Sequence, residues 1–215
     1  MNNNKIKILI ADDHAIVREG LKQIVAEEKD MIVAGEAENA ETIMRLLEKE
    51  KWSIVILDIN MPGRNGLEIL KDIKQLYPEL PVLILSMFSE EQYGIRAIKA
   101  GASGYLKKVS APDELVKAIR KIVNGGKYIT ETLADKLADT LGQIKNELPH
   151  EKLSDREFEI MCSIALGKSA EEISEELSIS VNTFYTYRNR ILEKMSMKSN
   201  VELTQYAIRT KLIEI

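Results

Sequence analysis

Five times in the first half of the chain a short β-branched run is followed by a stretch of helical period, and beyond residue 126 such runs stop. The runs are KIKILIA (5 to 11), MIVAGEA (31 to 37), SIVILD (53 to 58), PVLILS (81 to 86) and SGYLKK (103 to 108). Between them, apolar residues return at three- and four-residue spacing: Ile16, Leu21 and Ile24; Ile43, Leu46 and Leu47; Leu67, Leu70 and Ile73; Ile95 and Ile98. A last stretch carries Leu115, Ala118, Ile119 and Ile122. Strands that are apolar throughout, rather than at alternate positions, are buried on both faces. The repetition therefore specifies an α/β domain with a doubly wound, five-stranded parallel sheet. Asn124, Gly125 and Gly126 close its fifth helix in the manner of a glycine C-cap.

The second half of the chain is different in kind. TETLADKLADTLGQIKN (130 to 146) predicts a polar helix with Leu133, Leu137, Leu141 and Ile144 on one stripe, and NELPHEK a hinge. From Ser154 onward every segment is helical in period. The expected division is residues 1–125 as the α/β domain, 126–149 as a helical linker and 150–215 as a small all-α domain. The single Cys162 excludes an internal disulfide and a cysteine zinc site, which suits a reducing, cytoplasmic setting. No segment reaches the roughly 18 apolar residues of a membrane span, so no membrane partner is expected. A net charge of −4 means that any surface for nucleic acid must be local.

In a parallel sheet of this type, ligands bind outside the carboxyl ends of the strands. The first strand ends in Asp12 and Asp13, the third in Asp58, the fourth in Ser86 and the fifth in Lys107 and Lys108. A lone aspartate after a strand is ordinarily a turn former or helix cap, but three gathered carboxylates repel one another and need a cation. Few, hard oxygen ligands suit Mg²⁺, which keeps waters and reaches for phosphate. Asp58 beside that ion can act as a nucleophile toward a phosphoryl group. A lysine ammonium and the Ser86 hydroxyl can then each stabilise a phosphoryl oxygen. His14 reads as a loop or cap residue. A phosphatase with a second aspartate two positions after the nucleophile is disfavoured, because Asn60 stands there.

The C-terminal segment carries its own punctuation. Ser154 with Glu157 forms a capping box, Gly167 ends that helix, Ser180 caps a helix from Val181 to about Met195, and Asn200 is expected to cap the last one. A short helix, a tight turn and a second helix make a helix-turn-helix. With Phe184, Ile191 and Met195 inward, Asn182, Tyr185, Thr186 and Asn189 face outward, flanked by Arg188, Arg190, Lys194 and Lys198. Asn can pair with adenine, Thr and Tyr can meet a thymine methyl or phosphate, and the cations suit the DNA backbone. Val201, Leu203, Tyr206, Ala207 and Ile208 read as core plus a dimer contact. Dimerisation would match two half-sites about one helical turn apart.

DDH at 12 to 14, DINMPGRNG at 58 to 66, VLILS at 82 to 86 and GYLKK at 104 to 108 together resemble the flavodoxin-like receiver domain of bacterial two-component response regulators. The resemblance implies that Asp58 is phosphorylated by a cognate histidine kinase. It also selects Lys108, three residues after Tyr105, as the family's lysine, with Val109 where many members have proline. It makes Asp13 and Asp58 direct Mg²⁺ ligands, Asp12 a ligand through water, the Asn60 backbone carbonyl a further ligand, and Ser86 with Tyr105 the switch pair. LSDREFEI, GKSAEEIS, SVNTFYTYRNRILEKM and KSNVELTQYAI resemble the LuxR-type helix-turn-helix domain of the NarL/FixJ regulators. Glu171 stands where the family often has a basic residue, and Tyr187 where it commonly has histidine. The implied function is a DNA-binding response regulator whose phosphorylation controls homodimerisation and transcription at promoter DNA. Its only catalysis would be its own phosphorylation and dephosphorylation. The competing class is a phosphorylation-gated protein-interaction switch that does not bind DNA.

Overall fold

The computed structural model describes residues 5–61, 63–142 and 148–213; Ile144 and the side chain of Leu141, both expected on the linker stripe, lie outside what is described. Two compact units divide between Lys136 and Leu137. In the first, β1 (Ile6–Ala11), α1 (Ala15–Ala26), β2 (Met31–Ala37), α2 (Ala40–Lys49), β3 (Ile54–Asp58), α3 (Gly66–Leu76), β4 (Val82–Ser86), α4 (Glu90–Lys99), β5 (Gly104–Lys107) and α5 (Ala111–Val123) alternate as expected. The sheet is parallel throughout, in the order β2-β1-β3-β4-β5.

Side-chain alternation along each strand divides the core between the two faces of this sheet. Ile8, Ile10, Ile54, Ile56, Leu83, Leu85 and Leu106 join Leu21 and Val25 of α1 and Leu115, Ala118, Ile119 and Ile122 of α5 in one buried cluster. The intervening Leu9, Val55, Leu57 and Ile84, equally buried, face the other way. Ile16 departs from expectation: it is 84% exposed. Val17, Leu21, Ile24 and Val25 carry the buried stripe of α1 instead. Gly125, at φ +85°, lets Gly126 N–H donate to Lys121 O at 3.0 Å and closes α5 as a glycine C-cap.

Residues of the expected linker close onto this body. Tyr105 N–H donates to Tyr128 O, and Tyr128 N–H to Ser103 O, both at 3.0 Å, so residue 128 pairs with the open edge of β5. A further helix, α6 (Glu131–Gly142), starts here. Thr130 N–H donates to Glu90 Oε1, and the buried Leu133 sits against Gly94 of α4.

The second unit contains α7 (Asp155–Ala165), α8 (Ala170–Glu176), α9 (Val181–Met195) and α10 (Asn200–Arg209). α7 packs on α9 and α10, and α8 on α9, around buried Phe158, Ile173, Phe184, Ile191 and Leu203. The Ser154–Glu157 capping box and the Ser180 cap form as expected. The cap of α10 is Ser199, whose hydroxyl accepts from Glu202 N–H, and not Asn200. Both residue types cap well, but the Asn200 side chain instead accepts a hydrogen bond from Arg188.

Candidate functional site

β1 and β3 are neighbours in the sheet, with Ala11 in register with Leu57, so the next residues along each strand, Asp12 and Asp58, come side by side. This is where the strand order reverses, the crevice at which such sheets bind ligands. Asp12 and Asp58 are almost fully buried, at 1% and 2% exposure. Ligand oxygens of Asp12, Asp13 and Asp58, together with a ring nitrogen of His14, all lie within 4.8 Å of one another. Asp12 Oδ1 accepts from His14 N–H at 2.9 Å, which folds the turn. His14 Nδ1 lies 2.7 Å from Asp13 Oδ1. His14 is thus the N-cap of α1, as expected from its place, and also a fourth member of the cluster, which its position in DDH did not reveal.

One cation stands among these carboxylates. Lys108 Nζ donates to Asp58 Oδ2 at 2.7 Å and lies 2.7 Å from Asp12 Oδ2. Burial pushes the Asp58 carboxyl up to about 6, against the opposing pull of Lys108 and a backbone hydrogen bond from Asn60. Burial also works against the Lys108 ammonium, but Asp58 and Asp12 outweigh it and raise its pKa. Among the described residues, Asp12 Oδ2 and Asp13 Oδ1 are buried without an aligned hydrogen-bond donor; Lys108 Nζ stands 2.7 Å from the first and His14 Nδ1 2.7 Å from the second. Three acids against one lysine leave room for a hard cation, and the oxygen donor set fits Mg²⁺.

Ser86 and Tyr105 converge on the backbone of one residue, Phe88, just after β4. Ser86, fully buried at the end of β4, accepts from Phe88 N–H at 3.2 Å through Oγ. Tyr105 lies inward, 3% exposed, and its hydroxyl donates to Phe88 O at 3.0 Å. The loop after β3 is held just as closely. Gly66 N–H donates to Ile59 O at 2.7 Å, and the Asn65 side chain caps α3 by accepting from Leu67 N–H. Asn60 lies exposed at the start of that loop. Val109 is 76% exposed, in the helical turn that Lys108 begins.

In the second unit, α8 and α9 are joined by a turn in which Ser178 takes φ +52°. Phe184, Ile191 and Met195 bury the inner face of α9. Asn182, Tyr185, Thr186, Asn189 and Arg190 are exposed on the other side. The flanking cations are not equivalent. Arg188 Nε donates to Asn200 Oδ1 at 2.7 Å, so its guanidinium is oriented by the start of α10. Lys194 Nζ donates to the nearly buried Glu157 at 2.6 Å. Arg190 and Lys198 remain exposed. On α10, Leu203, Tyr206 and Ala207 enter the core, whereas Val201 and Ile208 stay 64% and 44% exposed.

Comparison with known proteins gives two family matches: the response regulator receiver domain over residues 8–120, and the luxR family of bacterial regulatory proteins over residues 151–207. The response regulator UvrY of Escherichia coli K12 is 37% identical over 207 residues, covering 95% of this chain and 94% of UvrY. The oxygen regulatory protein NreC of Staphylococcus epidermidis is also 37% identical, covering 97% of this chain and all of NreC. Among solved structures, the RcsB response regulator of Salmonella typhimurium matches at 25% identity with a TM-score of 0.68, covering 96% of this chain and 98% of RcsB. Among the described residues, no helix is long and apolar enough to cross a membrane.

Proposed function

The chain belongs to the response regulators that join a receiver domain to a luxR-type DNA-binding domain, and from that premise we propose that Asp58 is its phosphoacceptor. A histidine kinase is the donor partner. A carboxylate oxygen of Asp58 attacks phosphorus, an acyl phosphate bond forms, and the P–N bond to the kinase imidazole breaks, the imidazole taking up a proton. The observation that carries this reading is Lys108 Nζ at 2.7 Å from both Asp58 Oδ2 and Asp12 Oδ2. A cation held beside Asp58 supports the reading, because phosphoryl transfer needs charge stabilisation at the nucleophile.

Asp13 and Asp58 would hold Mg²⁺ directly, with Asp12 through water and the Asn60 carbonyl as a further ligand; when bound, the ion offsets the negative charge of the phosphoryl oxygens. The chain's own residues do the rest. Lys108 pairs with a phosphoryl oxygen, and the Ser86 hydroxyl donates to another, drawing on the loop that Tyr105 also holds. That change biases homodimerisation and promoter binding. Asn182, Tyr185, Thr186 and Asn189 read bases, while Arg188, Arg190, Lys194 and Lys198 serve phosphates.

The experiment is phosphorylation by acetyl phosphate with Mg²⁺, followed by intact mass. A gain of one phosphoryl group in wild type and none in Asp58→Ala is expected. Equal modification of the variant would remove Asp58 from the role. For the output, salt-dependent binding to promoter DNA should weaken on changing Arg188 and Asn189. The alternative of a switch that never touches DNA requires no such binding.

A further inference from the structure

We propose that Arg18 is a positioning residue for the cation site, holding the main chain of Asp12 and Asp13 so that their carboxylates stay turned into the pocket. This rests on reading the acidic pocket as a cation-bearing phosphoacceptor site. The Arg18 guanidinium folds back from α1: Nη1 donates to Asp12 O at 2.7 Å and lies 3.3 Å from Asp13 O. Nε donates to Glu36 Oε2 at 3.1 Å, and Lys22 Nζ lies 2.9 Å from the other Glu36 oxygen. The main chain of Asp12 is therefore held at both of its flanking peptides. Its N–H donates to Ala37 O at 3.1 Å and its C=O accepts from Arg18, so the end of β2 supplies both restraints, through Ala37 directly and through Glu36.

A cation is out of place here on general grounds. The first turn of a helix carries partial positive charge and favours anions, and α1 has no acidic residue in its first turn. Arg18 nevertheless lies over that end with a side chain only 14% exposed. Two main-chain carbonyls and Glu36 meet its donors. The residue type matters, because one planar fork presents Nη1 to the loop and Nε to Glu36 at once. The single ammonium of lysine presents no such fixed pair. Groups that orient metal ligands typically contribute about 10- to 100-fold in metal affinity.

The test is Mg²⁺ binding by isothermal titration, without phosphodonor, to the full chain and to Arg18→Ala, Arg18→Lys, Glu36→Gln and Arg120→Ala. The last is the control, removing an exposed arginine that pairs with Glu28 and Asp30 elsewhere in the same unit. Melting of each protein in EDTA reports stability independently of the ion. Expected are a dissociation constant raised about 10- to 100-fold for Arg18→Ala, a smaller rise for Arg18→Lys and Glu36→Gln, and Arg120→Ala within twofold of wild type. Arg18→Ala within twofold of wild type overturns the proposal, as does an equal loss in Arg120→Ala. Should Arg18→Ala fail to fold, unchanged affinity in both Arg18→Lys and Glu36→Gln overturns it. Wild type that binds no Mg²⁺ would instead overturn the cation reading, and this proposal with it.

Discussion

Replacing Gly66 by alanine tests whether the proposed phosphoacceptor, Asp58, depends on the close approach of α3 to β3. A Cβ at this position would stand 2.2 Å from Asp58 O, 2.7 Å from Ile59 Cα and 2.9 Å from Ile59 O. All three are backbone atoms, so no side chain can rotate away. Ordinary contacts begin near 3.5 Å, so the two segments must part by roughly 1 Å. That movement strains the 2.7 Å hydrogen bond from Gly66 N–H to Ile59 O, worth about 0.5–1.5 kcal/mol, and overpacking adds about 1–3 kcal/mol. A loss of about 2–4 kcal/mol is expected, read as a fall in melting temperature of roughly 5–15 °C. The shift is applied to the main-chain carbonyl of Asp58, the proposed phosphoacceptor, and a 1 Å misplacement can cost about 100-fold in rate. Acetyl phosphate labelling followed by intact mass should therefore slow by that order at a temperature where the variant is folded. Gly20→Ala is the control: nothing lies within 4 Å of its Cβ position, and a helical Gly-to-Ala change should stabilise by about 0.5–1 kcal/mol. If Gly66→Ala melted and reacted like wild type, close approach at residue 66 would not govern the phosphoacceptor.

Leu133→Ala removes a buried side chain packed against Gly94 and should cost about 2–5 kcal/mol in chemical denaturation of the first unit. Glu157 has its pKa lowered: burial opposes the charged form, but Lys194 and the Ser154 cap outweigh it. Its stabilisation is therefore present above the unfolded carboxyl value of 4.5 and is lost as pH falls through the lower folded one. Glu157→Gln should abolish that part of the acid-side melting curve. Ser199→Ala should cost about 1 kcal/mol as a lost cap, whereas Asn200→Ala should spare the helix and weaken DNA binding by releasing Arg188. Arg190→Ala should reduce the slope of log affinity against log salt by about one in fluorescence anisotropy, and an unchanged slope would remove Arg190 from the phosphate contacts.

The sheet was legible because its strands are apolar at every position, a pattern that only burial on both faces explains. The acidic pocket was legible because strand tips in such a sheet converge whatever the loops do. What escaped the sequence was contact with backbone. Arg18 addresses two carbonyl oxygens, and carbonyls have no residue type to recognise. Ile16 was misassigned because it shares a helical period with Leu21 and Ile24, although Val17 and Val25 share it equally and are the ones packed on the core. The choice between Ser199 and Asn200 was one between adjacent, nearly equal cap formers, decided by the demand of Arg188 for an acceptor. The attachment of residues 128–133 to the first unit depends on the open edge of β5. An edge accepts almost any backbone, so the sequence of the partner segment carries little sign of it.

The geometry around Phe88 also sets the scale of the proposed Ser86–Tyr105 switch. Ser86 Oγ accepts Phe88 N–H while Tyr105 donates to Phe88 O, so the hydroxyl at the end of β4 and the aromatic at the sheet edge both hold the backbone of Phe88, across two successive peptide units. Moving Ser86 toward a phosphoryl oxygen exchanges a neutral hydrogen bond, worth about 1 kcal/mol net, for a charge-assisted one of roughly twice that strength. The surplus is about 1 kcal/mol, which shifts a two-state equilibrium about fivefold rather than the roughly 10⁴-fold of a complete switch. Ser86 alone therefore cannot account for all-or-none control. On the proposed reading the remainder must come from differential contacts elsewhere: Lys108, now shared between Asp58 and Asp12, changing partners, and the proposed association of two copies, which would add its own free energy to whichever state pairs better.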